Sequence, residues 1–258
     1  MDLFVRESGP VGAPAIVFLH GGNMSGWSWQ PVVERMQRYR CLVPDLPQHG
    51  ESFRQGPFEI SRAATAVAEL IRSRVGTGRA HVVGLSLGAQ VGVQLLAAES
   101  KLVDRAVLCG TIVNTMPGVR LTAPLLGQIA RISILAEGIP AWRAFLRMVI
   151  DYPEDVRLMT GAQLAHLVVA SAGFTPPERL DQSDSPTLFL TGAKEMRFVR
   201  RSAAALAQRM PNGVDRVAIG MLHDWPLRYP DLFSRTVDSW LNDTALPPEI
   251  GLPNSDRR

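Results

Sequence analysis

The 258-residue chain contains no run of about 18 apolar residues, so no segment is expected to cross a bilayer as a helix. Residues 1–9 are charged and lack the apolar stretch of a secretory leader, so no signal peptide is expected. Cysteine is scarce. Cys41 and Cys109 both stand in apolar, strand-like runs, which offers neither a disulfide framework nor a metal-ligand spacing. Two buried free thiols, no metal, no cofactor and a cytoplasmic, reducing compartment are the expectations. Excess charge is scarce too. The 27 Lys and Arg against 24 Asp and Glu leave +3, scattered without a long basic run, which speaks against a nucleic-acid surface. The short cluster Arg197, Arg200, Arg201 reads as the exposed face of a helix rather than a phosphate site. Repeats and low-complexity segments are absent.

What is present is core. Apolar residues make up 46% of the chain, enough for one large α/β domain, although a prior of ~150 residues per domain would suggest two. Short apolar runs, AIVFLH (15–20), CLVPDL (41–46), AHVVGLS (80–86), RAVLCG (105–110), PTLFLTG (186–192) and DRVAIG (215–220), read as strands covered on both faces. FVRES near the N-terminus reads as an edge strand. Helical patterns fall between them at Ile60–Val75 with Ser61 as N-cap, Leu87–Glu99, Phe198–Met210 and Pro230–Leu241. Such alternation implies a doubly wound sheet. From about 111 to 185 no strand is legible, and Leu121–Leu135, Pro140–Ile150 and Glu154–Ala170 read as helices of an insertion. The Pro-rich tail, about 246–258, is expected to be loose.

Three signals carry chemistry. Gly84-Leu85-Ser86-Leu87-Gly88 is a GxSxG motif between a strand and a helix, the setting in which a serine is held on a strained turn with its hydroxyl exposed. His20-Gly21-Gly22 ends the strand AIVFLH. Acyl transfer needs N–H donors aimed at a developing oxyanion, and Gly22 and Leu87 are the expected pair. His20 itself reads as a structural residue orienting that loop. His223, between the last strand pattern and the last helix, is the expected base, since a serine hydroxyl is a weak nucleophile until its proton is accepted. His81 begins a strand, His49 lies in a turn and His166 in the insertion, so these compete poorly.

These residues resemble the α/β-hydrolase superfamily, within it the small esterase and perhydrolase-like serine hydrolases. The resemblance runs over about 4–241 and includes HGG at 20–22, Trp29, the turn Asp45-Leu46-Pro47-Gln48-His49-Gly50-Glu51-Ser52, GLSLG at 84–88 and His223. It implies a mostly parallel eight-stranded sheet with helices on both faces and a helical cap after the sixth strand. It also implies a chain order of Ser, acid, His. Two residues depart from the pattern. Gln48 stands where the family usually has Gly, and Gly192-Ala193-Lys194-Glu195 stands where it has GxxD. Glu195 is therefore the leading acid, with an exposed loop residue as the competing reading and Asp181 and Asp184 as fallbacks. The family strand order would hold the two cysteines about 14 Å apart.

The expected function is hydrolysis of an ester or similar acyl bond of a small apolar or aromatic molecule through an acyl-Ser86 intermediate. Carbon–carbon bond hydrolysis, lyase chemistry and a ligand receptor on the same fold stay open, because one fold hosts many chemistries. The expected pocket draws on Asn23, Trp142, Phe145 and Met148, and more broadly on Leu125, Leu126, Ile129, Ile134, Val149, Leu164 and Val168; Asn23 and Asn114 are the candidate polar groups. The expected partner is a small-molecule substrate, not nucleic acid or membrane, with a homodimer left open.

Overall fold

A computed structural model describes residues 2–113, 125, 128 and 160–253. Eight strands form one sheet: β1 (Val5–Ser8), β2 (Ala15–Leu19), β3 (Arg40–Pro44), β4 (Ala80–Leu85), β5 (Val103–Cys109), β6 (Thr187–Gly192), β7 (Gly213–Ala218) and β8 (Ile250–Gly251). Their order is β1-β3-β2-β4-β5-β6-β7-β8. The outermost strands, β1 and β8, run antiparallel to their neighbours and the interior ones are parallel.

Period-2 alternation explains the two cores. Val17 and Leu19 point into one apolar layer, while Ile16 and Phe18 point into the other. The first layer is covered by α2 (Ile60–Arg74), α3 (Leu87–Glu99), α4 (Gly161–Ala172) and α5 (Arg197–Arg209); the second by α1 (Gln30–Val33), α6 (Trp225–Arg228) and α7 (Pro230–Leu241). Trp29 is fully buried in the second layer, stacked on Phe233 with ring centroids 5.5 Å apart. Among the described residues no helix is long and apolar enough to cross a membrane.

Several expectations need correction. The tail is not loose through its described part: Ile250 is buried, and Ile250–Gly251 pair with β7. The eighth strand therefore comes from the tail, and the insertion lies between β5 and β6. Ser61 is not the cap of α2, because the helix begins one residue earlier, with Glu59 at the N-cap position. Helix α4 starts at Gly161 behind a capping box, in which Thr160 Oγ1 accepts from Gln163 N at 3.2 Å and Gln163 Oε1 accepts from Thr160 N at 2.7 Å. Within the insertion, residues 160–185 hold no strand. The helices read at 121–135 and 140–150 fall almost wholly outside the described residues, as does 154–159.

Candidate active site

Chain direction creates the site. Parallel strands bring their C-terminal ends to one edge of the sheet, and the loops there gather the side chains. Ser86 occupies the single residue between β4 and α3, with φ 52° and ψ −108°, a conformation that costs an L-residue of order 1–3 kcal/mol. The flanking glycines are required by contact. A Cβ on Gly84 would lie 2.7 Å from Gly88 O, and one on Gly88 would overlap Leu19 O and His20 O. The Ser86 N–H is tied to Cys109 O at 2.8 Å, which docks the elbow onto the end of β5.

His223 lies on the loop between β7 and α6. Its Nδ1 is 2.8 Å from Glu195 Oε2, and Glu195 Oε1 accepts the Gly192 N–H at 2.8 Å. The Glu195 carboxylate is 2% exposed, whereas the His223 ring is 43% exposed. Burial pulls the His223 pKa down; the hydrogen bond and charge of Glu195, with the charge of Asp224, outweigh it and leave the pKa above the ordinary 6.5. Asp181 and Asp184 stand before β6, at the opposite end of that strand from Glu195.

Gly110 joins the two halves. It follows Cys109, whose carbonyl holds Ser86, and it adopts φ +64° beneath the imidazole. A Cβ there would overlap His223 Cε1 and lie 2.8 Å from Nδ1. No sequence signal marked it beyond a glycine ending an apolar strand run.

The loop after β2 completes the setting. His20 is fully buried, accepts the Leu46 N–H at Nε2 (2.9 Å) and donates from Nδ1 to Gly21 O (2.8 Å). Burial holds its pKa well below the usual value, so it is a neutral, structural imidazole. His49 packs edge-on against it at 5.0 Å, and burial lowers its pKa to about 4. Asp45 organises the next turn, accepting from Gly26 N at 2.7 Å and Glu51 N at 2.9 Å while pairing with Arg6 at 2.7 Å. Gln48 explains its own departure from the family pattern. Its φ is 64°, where glycine is favoured, and its Oε1 accepts the Phe58 N–H at 2.7 Å.

A cavity of about 250 Å³ opens at Ser86. Among the described residues, Gly22, Asn23, Leu87, Leu167, Val168, Ser171 and Ala172 line it together with Ser86. Asn23 and Val168 were expected in the pocket, and Gly22 and Leu87 beside Ser86 as oxyanion donors; Leu167, Ser171 and Ala172 were not expected. Leu164 packs in the core instead, because it lies on the buried face of α4, and Leu125 is exposed. Asn114, Leu126, Ile129, Ile134, Trp142, Phe145, Met148 and Val149 lie outside the described residues. Among the described residues no group of three or more His, Cys, Asp and Glu side chains is placed to hold a metal ion.

A family model described as the alpha/beta hydrolase family matches residues 16–236. A protein from Gibberella zeae named as an AB hydrolase superfamily protein is 27% identical over 95% of this chain and 86% of its own length. An esterase of Mycobacterium tuberculosis is 30% identical over 54% of this chain and 46% of its own. Among solved structures, an enol-lactonase from Burkholderia xenovorans superposes with a TM-score of 0.74 at 22% identity, covering 93% of this chain and 96% of that one. The strand–GxSxG–helix elbow, the sheet order and the family match agree, and this chain is an enzyme of the alpha/beta hydrolase family.

Proposed function

We propose that this protein is a serine hydrolase that cleaves esters of small apolar or aromatic groups through an acyl-Ser86 intermediate. The observation that carries the reading is the Glu195–His223 hydrogen bond. With Nδ1 held by the carboxylate, the ring keeps its proton on that side and offers Nε2 as a base. Ser86 Oγ attacks the acyl carbonyl while Nε2 takes its proton. The oxyanion is met by the N–H groups of Leu87 and Gly22; the former belongs to the first turn of α3, where N–H groups lack intrahelical acceptors. Collapse expels the alcohol, protonated by the imidazolium. Water then repeats the sequence on the acyl-enzyme, its proton passing to Nε2 and its oxygen to the acyl carbon, and Ser86 is restored.

Leu87, Leu167, Val168 and Ala172 give the cavity an apolar wall, with Asn23 and Ser171 as its polar points. At about 250 Å³ it is near the small end of ligand sites, which suits groups of modest size. The test is a panel of p-nitrophenyl esters with short, long, aromatic and carboxylate-bearing acyl groups. Multiple turnovers on the short apolar and aromatic members, lost in Ser86→Ala, are expected. A single burst without turnover identifies a receptor, and a preference for the charged member contradicts the apolar site.

A further inference from the structure

Gln90 is fully buried, four residues beyond Ser86 on α3, and its backbone N–H donates to Ser86 O at 3.1 Å. Its side-chain Nε2 donates twice, to Ile112 O at 2.7 Å and to Ser171 O at 2.8 Å. Both acceptors are carbonyls, so the orientation of the amide is fixed. Oε1 is buried without a hydrogen-bond partner. An orphaned acceptor offsets what two donated bonds contribute, so the residue gives little net stability; an aliphatic side chain of similar volume would carry no such orphan.

What the amide provides is position. Ile112 lies where the chain leaves β5 for the insertion, and Ser171 lies where it returns, in the last turn of α4. The Ser171 carbonyl is one of the final four of that helix and accepts the Phe174 N–H at 3.3 Å as the chain turns out of it. Gln90 supplies a donor from another helix. Leu167, Val168, Ser171 and Ala172, which wall the cavity, all belong to the last six residues of α4. A second tie, between His166 Nε2 and Phe58 O at 2.9 Å, holds the middle of the same helix.

We propose that Gln90 is a positioning residue that fixes the α4 wall relative to Ser86 and thereby sets the acyl length the site accepts. This rests on the ester-hydrolase reading above. The experiment compares wild type with Gln90→Met, which keeps length and loses both donors, and with Gln90→Asn, which keeps the amide and shortens its reach. Three readouts are taken: kcat and KM on p-nitrophenyl acetate, butanoate and octanoate; hydrogen exchange of residues 161–172; and circular dichroism for folding. Because one methylene in an apolar pocket is worth roughly tenfold or more in selectivity, the octanoate-to-acetate ratio of kcat/KM should change by at least roughly tenfold. The change should fall mainly on KM, acetate kcat should stay within roughly threefold, and α4 should exchange faster. A ratio unchanged in a folded variant overturns the proposal. Wild-type protein that turns over none of the esters overturns the ester-hydrolase reading and the acyl-length role with it, whereas unchanged exchange of α4 overturns the clasp itself.

Discussion

Glu195 uses both carboxylate oxygens: Oε2 holds His223 Nδ1 at 2.8 Å, and Oε1 accepts the N–H of Gly192 at 2.8 Å. The backbone closes the same turn, with Glu195 N–H on Gly192 O at 3.0 Å. A glutamate thus reaches His223 from the slot where the family resemblance expects an aspartate. The side chain folds back over its own turn, so that Oε1 meets the Gly192 N–H while Oε2 reaches His223 Nδ1. In Glu195→Gln the amide oxygen can keep Gly192, which leaves NH2 facing Nδ1 and forces the proton to Nε2, the wrong tautomer. Steady-state kinetics should show kcat lowered by about two orders of magnitude or more, toward the ~10⁴-fold known for an Asp→Asn change in a serine-protease triad. Unchanged kcat would mean that another group orients His223.

The pH profile follows from the same pair. A base must be neutral to accept a proton, so activity should fall as pH drops through the raised His223 pKa, giving an acid limb above the 6.5 of ordinary histidine. In Glu195→Gln any residual activity should show that limb displaced to lower pH. The stability linkage has the opposite sign. A raised pKa favours the folded, protonated form, so this contribution is fully present below 6.5 and is lost as pH rises through the folded value. An acid limb at or below 6.5 in wild-type kcat/KM profiles contradicts the assignment.

Gly110→Ala tests the joint between elbow and base. The new methyl group would overlap His223 Cε1, and the φ of +64° is costly for alanine. The imidazole is the part able to move, since it is 43% exposed. Expected are a kcat loss of roughly tenfold or more, because small misplacements cost heavily, and a loss of about 1 kcal/mol in denaturant stability. Full activity would place the working position of His223 away from Gly110.

Much of the site could be read from the sequence because its signals are local. A serine elbow needs its motif between a strand and a helix, and α3 begins and ends where that motif and its periodicity place it. Glu195 was reached through the resemblance to the family's GxxD turn, where it stands three residues after Gly192. The contributions of Gly110, Gln90 and Ser171 were not legible, since each acts through contacts across more than twenty residues or through a backbone angle that no side chain announces. The eighth strand was missed for a related reason. Two residues beside prolines form too short a pattern to read, and Ile250 finds its place only against β7.

Gln48→Gly sets two effects against each other. Glycine would relieve a left-handed backbone, worth about 1 kcal/mol. It would also leave the buried Phe58 N–H without Gln48 Oε1, costing about 1–3 kcal/mol, and loosen the unfolded chain. The second effect is the larger. Denaturant unfolding should show a net loss of about 1 kcal/mol, and a gain in stability would mean that the Phe58 N–H finds another acceptor.

Cys41 and Cys109 are both buried and free, on strands separated in the sheet by β2 and β4. Burial pushes the Cys41 thiol up to about 12 and that of Cys109 well above its usual value, which Glu195 reinforces. A chromogenic disulfide reagent should therefore find no reactive thiol in the native protein and two after unfolding without reductant. A prompt reaction in the native state would show that one of these strands is accessible.

The most direct test is covalent. Wild-type protein, Ser86→Ala and Glu195→Gln would each be exposed to a fluorophosphonate, and intact mass followed by peptide mapping would locate the adduct. One equivalent on Ser86 in wild type, none in Ser86→Ala and much slower labelling in Glu195→Gln are expected, because only a serine activated through His223 and Glu195 reacts at a useful rate. Stoichiometric labelling of Ser86→Ala at another residue, or no labelling of the wild type, would contradict the assignment of Ser86 as nucleophile.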